Sequence, residues 1–298
     1  MHRSGFVNIL GRPNVGKSTL MNALVGERMS IITAKPQTTR HRIIGILSGD
    51  DFQIVFSDTP GFIRDPHYRM QNAMNRFALS TLEDADLLLF VTDVNEVYTE
   101  DDPLLQQIRK TEAPVILVLN KIDLATPEKV GTLLQQWNNW INFKAFFPIS
   151  ALHKKGTEAL LKGIQEQLPE GPEYYPKDQL TDRPERFFVS EIIREKILVQ
   201  YQQEIPYSVE VVVESFKETQ TNQGEPLVRI SAMIYVARES QKPIILGKAG
   251  AAIKKLGTAA RKDLETFLEQ KVFLELRVKV RENWRDDERL LKGFGYSG

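Results

Sequence analysis

The sequence predicts an α/β chain in two parts: a doubly wound, mostly parallel sheet, then a smaller α+β domain of order αββααβ. Three observations carry this. Short apolar runs alternate with amphipathic stretches from Phe6 to about Pro169, as strands do when helices cover both faces of their sheet. A polar stretch rich in proline, Pro169 to Pro184, then breaks the pattern. Beyond it the alternation resumes in a different order, helix first.

Bulk composition narrows the class. The 298 residues suit two domains better than one. With 42% hydrophobic and 26% charged residues, the chain reads as soluble and globular. Lysine plus arginine equals aspartate plus glutamate at 39 each, so any affinity for nucleic acid needs a local patch. Cysteine is absent, which excludes disulfides, thiolate metal sites and cysteine nucleophiles. His2, His41, His67 and His153 have no metal-ligand spacing, and no Ser-His-Asp or paired-carboxylate arrangement presents itself. The apolar segment Phe6–Leu10 is too short for a signal-peptide core. No run approaches the roughly 20 apolar residues that span a bilayer.

In order, the expected strands are Phe6–Leu10, Ile43–Leu47, Phe52–Phe56, Leu87–Thr92, Val115–Leu119 and Ala145–Ile149. Helices are expected at Ser18–Val25, Gln71–Leu82, Asp102–Lys110, Glu128–Trp140 and Thr157–Leu168. Only the turn Gly49-Asp50-Asp51 separates the second and third strands, so a hairpin adds one antiparallel edge. Trp137 and Trp140, three apart on a helix, read as packing residues. The polar Phe62–Asn75 segment reads as mobile. Pro169, Pro172, Pro176 and Pro184 around Tyr174-Tyr175 mark an extended linker. A helix (Phe187–Gln202), two strands (Tyr207–Phe216 and Leu227–Val236), two helices flanking Gly247–Gly250 and a strand (Val272–Val280) follow. The expected boundaries are 1–169, 170–185 and 186–298. The tail from Trp284 to Gly298 reads as a charged helix with a glycine-rich end, and its packing is left open.

Gly11-Arg12-Pro13-Asn14-Val15-Gly16-Lys17-Ser18, followed by Thr19, directly succeeds a strand and matches the P-loop pattern. Its backbone N–H groups and the following helix N-terminus suit phosphate. Lys17 would reach the β- and γ-phosphates, and Ser18 would bind Mg²⁺. Asn120-Lys121-Ile122-Asp123 ends the fifth strand, on the edge where doubly wound sheets bind ligands. An Asp123 carboxylate there accepts two hydrogen bonds from guanine, whereas adenine has no such donor pair, which disfavours an ATP-dependent enzyme. Asp58-Thr59-Pro60-Gly61 follows the third strand; Asp58 would hold the Mg²⁺ shell through water and the Gly61 N–H would sense the γ-phosphate. Ser150-Ala151-Leu152 closes the set against the guanine carbonyl. Within the loop Lys35 to Arg40, a threonine would complete the Mg²⁺ shell: Thr39, with Thr38 as the alternative.

These motifs in this order look like a P-loop GTPase domain. Together with Gln37-Thr38-Thr39-Arg40-His41-Arg42 and the C-terminal domain, they resemble the bacterial Era GTPase family over essentially the whole chain. Ras-like enzymes place a water-orienting glutamine directly after Asp-x-x-Gly; here that position is Phe62. The resemblance implies the subclass in which a hydrophobic residue stands there, with slow intrinsic turnover. It also implies that Asn14 occupies a potassium site found in some related GTPases, so that Lys17, Thr39, Gly61 and Asn14 form the catalytic set.

In the second part, Gly247-Lys248-Ala249-Gly250 lies between apolar helical stretches. The αββααβ order and this loop match the bacterial type of KH domain, whose G-x-x-G clamps about four nucleotides. From Arg238 to Lys262 seven basic residues (Arg238, Lys242, Lys248, Lys254, Lys255, Arg261, Lys262) face the single acid Glu239, a patch suited to phosphates. Ile244, Ile245 and Ile253 beside the loop are candidates for a groove floor. The resemblance implies that the RNA is the 3′ end of small-subunit ribosomal RNA, not DNA, and that the role lies in assembly of the small ribosomal subunit. It further implies a cytoplasmic monomer that exchanges GTP and GDP, with peripheral association at the cell membrane. An RNA-binding scaffold that holds GTP with negligible hydrolysis is the alternative.

Overall fold

The runs Leu87–Asp93 and Val115–Asn120 bury every one of their residues, as strands do only inside a sheet covered on both faces. In the computed structural model, which describes residues 2–296, these runs lie at the centre of a six-stranded sheet. In chain order the first unit holds β1 (Arg3–Leu10), α1 (Lys17–Val25), β2 (Ile43–Ser48), β3 (Phe52–Asp58), α2 (Arg69–Ser80) and β4 (Leu87–Asp93). It continues with α3 (Pro103–Ile108), β5 (Val115–Asn120), α4 (Pro127–Trp140), β6 (Ala145–Pro148) and α5 (Thr157–Gln167). The strand order is β2-β3-β1-β4-β5-β6, with β2 antiparallel to β3 and every other pair parallel. The expected hairpin is therefore present.

Local chemistry sets the ends. Asp102 caps α3 by accepting from the Leu104 N–H, and Pro103 takes the first helical position; Thr126 and Pro127 do the same for α4. The helix expected at Gln71–Leu82 runs from Arg69 to Ser80, with Ala73, Met74 and Ala78 burying one face. On one side of the sheet Phe90, Tyr98, Trp137 and Phe143 form an aromatic core; Trp140 meets Trp137 edge-on at 5.4 Å. The chain crosses from β3 over β1 to β4, which places the switch point of the sheet at the C-terminal end of β1.

The proline-rich stretch is extended, but it is not a free tether. Gln53 accepts from the Tyr174 and Tyr175 N–H groups, and its amide donates to the Tyr175 carbonyl. Ile46 N–H donates to the Leu180 carbonyl, and the Thr181 hydroxyl to that of Ile44. The segment thus occupies the free edge of β2 and satisfies an otherwise open ladder. The first compact unit ends at Asp182, and the second takes up the chain from Arg183 together with Tyr68–Met70.

The second unit holds α6 (Glu185–Gln200), the single turn α7 (Ile205–Ser208), β7 (Val209–Gln220), β8 (Pro226–Val236), α8 (Gln241–Leu246), α9 (Ala251–Leu268), β9 (Lys271–Val280) and α10 (Glu288–Gly293). Its sheet runs β7-β8-β9, antiparallel then parallel. Tyr207, expected to start a strand, lies in α7 instead, behind Pro206. The core comes from alternate residues of the strands, such as Val228, Ile230, Ala232 and Ile234, against Ile193, Ile197, Leu256 and Leu264. The tail packs: Trp284 is fully buried and donates to the Ser208 carbonyl at 2.9 Å, while the Tyr296 hydroxyl donates to Glu210 at 2.7 Å. Met1, Ser297 and Gly298 lie outside the described residues.

Because Trp284 fills a closed space and satisfies a buried carbonyl, Trp284→Ala should destabilise the second unit by roughly 3–5 kcal/mol. Denaturant unfolding followed by the helix signal of residues 183–296 checks this; a loss below about 1 kcal/mol would contradict the packing role.

Candidate functional site

Strand β1 ends at Leu10 and α1 starts at Lys17, so residues 11–16 turn from a buried strand into a helix N-terminus. Gly16 is held at φ 96°, and a Cβ there would stand 2.3 Å from the Asn120 amide nitrogen. Only glycine fits. Helix α1 has no side-chain cap, which leaves its first N–H groups and the positive end of its dipole available to an anion. The loop opens on a cleft of about 460 Å³, a size common for small-molecule sites.

At the phosphate end of that cleft three polar side chains converge. The Ser18 hydroxyl donates to Asp58 Oδ2 at 2.6 Å, and Thr39 Oγ1 lies 2.8 Å from Ser18 Oγ and 3.4 Å from the same carboxylate oxygen. Thr38 instead pairs with Thr33 and donates to the Lys35 carbonyl. Of the two threonines, Thr39 is the one at the cluster. Asp58 Oδ1 is buried and has no hydrogen-bond partner among the described residues. Burial pushes the Asp58 carboxyl up, against the opposing pull of Lys17 and the neighbouring hydroxyls. Lys17 is buried as well, and desolvation lowers its ammonium to about 8 although Asp58 and Glu96 favour the charged form. Its Nζ donates to the Gly11 and Arg12 carbonyls at 3.2 and 2.8 Å.

At the other end, Asn120 ties three segments together. Its amide donates to the Val15 carbonyl, and its oxygen accepts from the Ala151 N–H, both at 2.9 Å. Lys121 bridges to Asp93 at 2.5 Å and donates to the Asn14 carbonyl. Asp123 lines the cleft with its carboxyl held below the ordinary range, chiefly by the Ser150 hydroxyl. Leu124 and Leu152, 60% and 73% exposed, form apolar lips around it. A planar base with a donor pair at one edge suits this end.

Pro13, Asn14, Thr19 and Gly61 also line the cleft. Other residues expected at the nucleotide stand behind it. Arg12 is turned away: its guanidinium reaches Glu96 at 3.0 Å, the Val97 carbonyl at 2.8 Å and Asp102 at 2.5 Å, and lies over the Tyr98 ring at 3.8 Å. Val15 and Pro60 are buried, and the Thr59 hydroxyl donates to the Ile9 carbonyl. Conversely, Ile31, Ile32 and Thr33 line the cleft without any motif having marked them, and so does Gln37, which the sequence marked only as part of the stretch ahead of Arg42. Their sole signal was their place in the loop that leads to Thr39. Among the described residues no group of three His, Asp or Glu side chains is arranged to hold a metal.

In the second unit, Gly247 sits at φ 72°, and a Cβ on it would come within 2.5 Å of Ala252 Cβ. This glycine lets α8 and α9 meet closely. Ala249 is also left-handed, at φ 48°, and the loop projects with Lys248 and Ala249 exposed. All seven basic residues between 238 and 262 are exposed. Lys254 and Lys255 share the outer face of α9 with Lys262 along a shallow groove. Ile244 is 49% exposed beside the loop, whereas Ile245 is fully buried and belongs to the core, its carbonyl accepting from the Tyr201 hydroxyl.

A family model described as a 50S ribosome-binding GTPase matches residues 6–121, and one described as a KH domain matches residues 204–285. The GTPase Era of Syntrophus aciditrophicus is 47% identical over 298 residues, covering 100% of this chain and 96% of the relative. A chloroplastic GTPase of the same kind from Oryza sativa is 48% identical, covering 100% of this chain and 70% of that one. The chain belongs to the Era GTPase family. It is thus a GTPase with a C-terminal KH domain. A crystal structure of Era in complex with MgGDPNP and nucleotides 1506–1542 of 16S ribosomal RNA aligns with a TM-score of 0.94 and 37% identity, covering 100% of both chains. A single-residue variant of Aquifex aeolicus Era bound to GDP and aluminium fluoride aligns at 0.93, also with 37% identity, covering 99% of this chain and all of that one.

Phosphates entering the cleft would restore the charge on Lys17, so nucleotide binding above pH 8 should take up a proton. Affinity should weaken as pH rises through that region, by up to about tenfold per pH unit. Calorimetry at pH 8.5 in buffers of different ionisation enthalpy checks this. Heats that do not depend on the buffer would contradict it.

Proposed function

We propose that this GTPase is a nucleotide-driven switch that binds the 3′ end of small-subunit ribosomal RNA and acts in assembly of the small ribosomal subunit. The observation that carries the reading is the convergence of Ser18, Thr39 and Asp58 in the same cleft as Asp123, within a chain whose second unit presents an exposed G-x-x-G loop. The RNA assignment is supported by the likeness to an Era crystallised with nucleotides 1506–1542 of 16S ribosomal RNA.

The nucleotide roles follow from chemistry at each end of the cleft. Asp123 accepts from the guanine ring N–H and exocyclic amine, Asn120 holds Val15 and Ala151 in register around the base, and Lys17 binds the β- and γ-phosphates. Asp58 carries an unpartnered buried oxygen beside two hydroxyls, and this donor set fits Mg²⁺, which favours hydroxyl, carboxylate and water oxygens. Ser18, Thr39 and Asp58 would hold the ion, whose charge would neutralise the phosphates. Thr39 and the Gly61 N–H then report whether a γ-phosphate is present. Nothing at position 62 orients water, so the unassisted rate is slow, on the order of 10⁻³ per second or less. The scaffold alternative draws on Phe62 alone.

The KH loop clamps single-stranded RNA through backbone and the cations around it. GTP hydrolysis measured with and without an oligonucleotide of the small-subunit RNA 3′ end tests the switch. Stimulation by that RNA and not by a scrambled one is expected; tight binding without stimulation would favour the scaffold. The Lys248→Asp, Gly250→Asp double variant should abolish RNA binding and leave GTP affinity within about twofold.

Asn14 stands exposed at the rim of the cleft, and we assign it to a potassium ion that supplies positive charge beside the phosphates. Hydrolysis should then be faster in potassium than in sodium buffer, and Asn14→Ala should remove the difference. Equal rates in the two salts would exclude this role.

A further inference from the structure

Hydrolysis needs a group that orients the attacking water, and the usual place for it is filled by a residue unable to do so. The Phe62 N–H donates to the Gly11 carbonyl at 3.1 Å, and its ring packs partly buried against the core that contains Tyr98 and Trp137. The ring is held by the core and carries no polar atom.

The cleft does contain a glutamine. Gln37 lines it together with Lys17, Ser18, Thr39 and Gly61, on the same loop that brings Thr39 to Ser18 and Asp58. Two features bear on its role. Its backbone is left-handed, at φ 59°, as it is at Asn14 and Lys121 of the same cleft, and such uncommon conformations are found at active sites. Its Oε1 is buried with no hydrogen-bond partner among the described residues, although buried amide oxygens are nearly always satisfied. Neighbouring side chains of the loop are engaged within the polypeptide: Thr38 with Thr33 and the Lys35 carbonyl, Thr39 with Ser18. Of these three, Gln37 is the one whose side-chain oxygen has no hydrogen-bond partner among the described residues.

We propose that Gln37 is a catalytic residue of GTP hydrolysis. Its Oε1 accepts a hydrogen bond from the attacking water, and its NH₂ donates to a γ-phosphate oxygen. An amide can do both and is no base, so it orients the water without taking its proton. The bond that forms joins the water oxygen to the γ-phosphorus. The bond that breaks is the one from that phosphorus to the β–γ bridging oxygen, whose electron pair leaves with GDP. The water's proton passes to the phosphate released.

The proposal rests on the cleft being the GTP site, which Lys17→Ala tests separately: if the cleft is the site, that variant loses affinity for a non-hydrolysable GTP analogue. Single-turnover hydrolysis of pre-bound GTP is then measured for Gln37→Ala and Gln37→Gly. Both should lose about tenfold or more in rate while the analogue Kd stays within about threefold. Gln37→Gly is the stringent variant, because glycine keeps the left-handed backbone at no steric cost and removes only the amide. A smaller loss in Gln37→Gly, or a rate loss matched by an equal loss of analogue affinity, overturns the catalytic role and leaves Gln37 as a residue that shapes the loop.

Discussion

Lys17 and Asp58 are both buried at the C-terminal edge of the first unit's sheet, an ammonium and a carboxylate where water would otherwise hydrate them. Desolvation works against both charges, and a buried charge is tolerable only with nearby compensation. The surrounding structure supplies part of it. P-loop carbonyls accept from Lys17, and hydroxyls from α1 and from the loop before β2 meet one oxygen of Asp58. The other oxygen is left without a partner. A polyanion and a cation in the cleft would complete this compensation, one meeting Lys17 and the other the free oxygen of Asp58.

How much of this could be read from residues alone depended on sequence distance. The P-loop, the Asp58 turn and Asn120-Lys121-Ile122-Asp123 are short and local, each following a strand that its own apolar run announced. Register does the rest: Ile9 pairs with Asp58 and Asp93 with Asn120, so strand ends named separately arrive at one edge. What stayed hidden was long-range. Arg12 lay in a nucleotide-binding motif, yet its side chain serves Glu96, the Val97 carbonyl and Asp102, partners 84 to 90 residues away. Composition marked the proline-rich stretch as extended, but nothing in it announced Gln53 and Thr181 as the residues that fasten it to β2 and β3. Periodicity left Ile244 and Ile245 equivalent, and only the turn of α8 separates them: one is half exposed and the other fully buried.

The second unit shows the same backbone chemistry on a different scaffold. At Gly16 and at Gly247 the backbone is left-handed, and a Cβ would collide with a neighbouring element. In both places the glycine brings a helix start close to its surroundings, which leaves N–H groups or projecting lysines free for an anion. The difference lies in enclosure. Around Gly16 the cleft is walled and its charges are desolvated, so it suits one tightly defined ligand. Around Gly247 the cations are exposed on a neutral chain, so attraction there is screened by salt and spread along a backbone. A polyanion's affinity for such a surface grows with the number of phosphates it meets, and beside the loop Ile244 is an exposed apolar side chain. The first unit thus presents a walled cleft with desolvated charges, and the second an open loop with exposed ones.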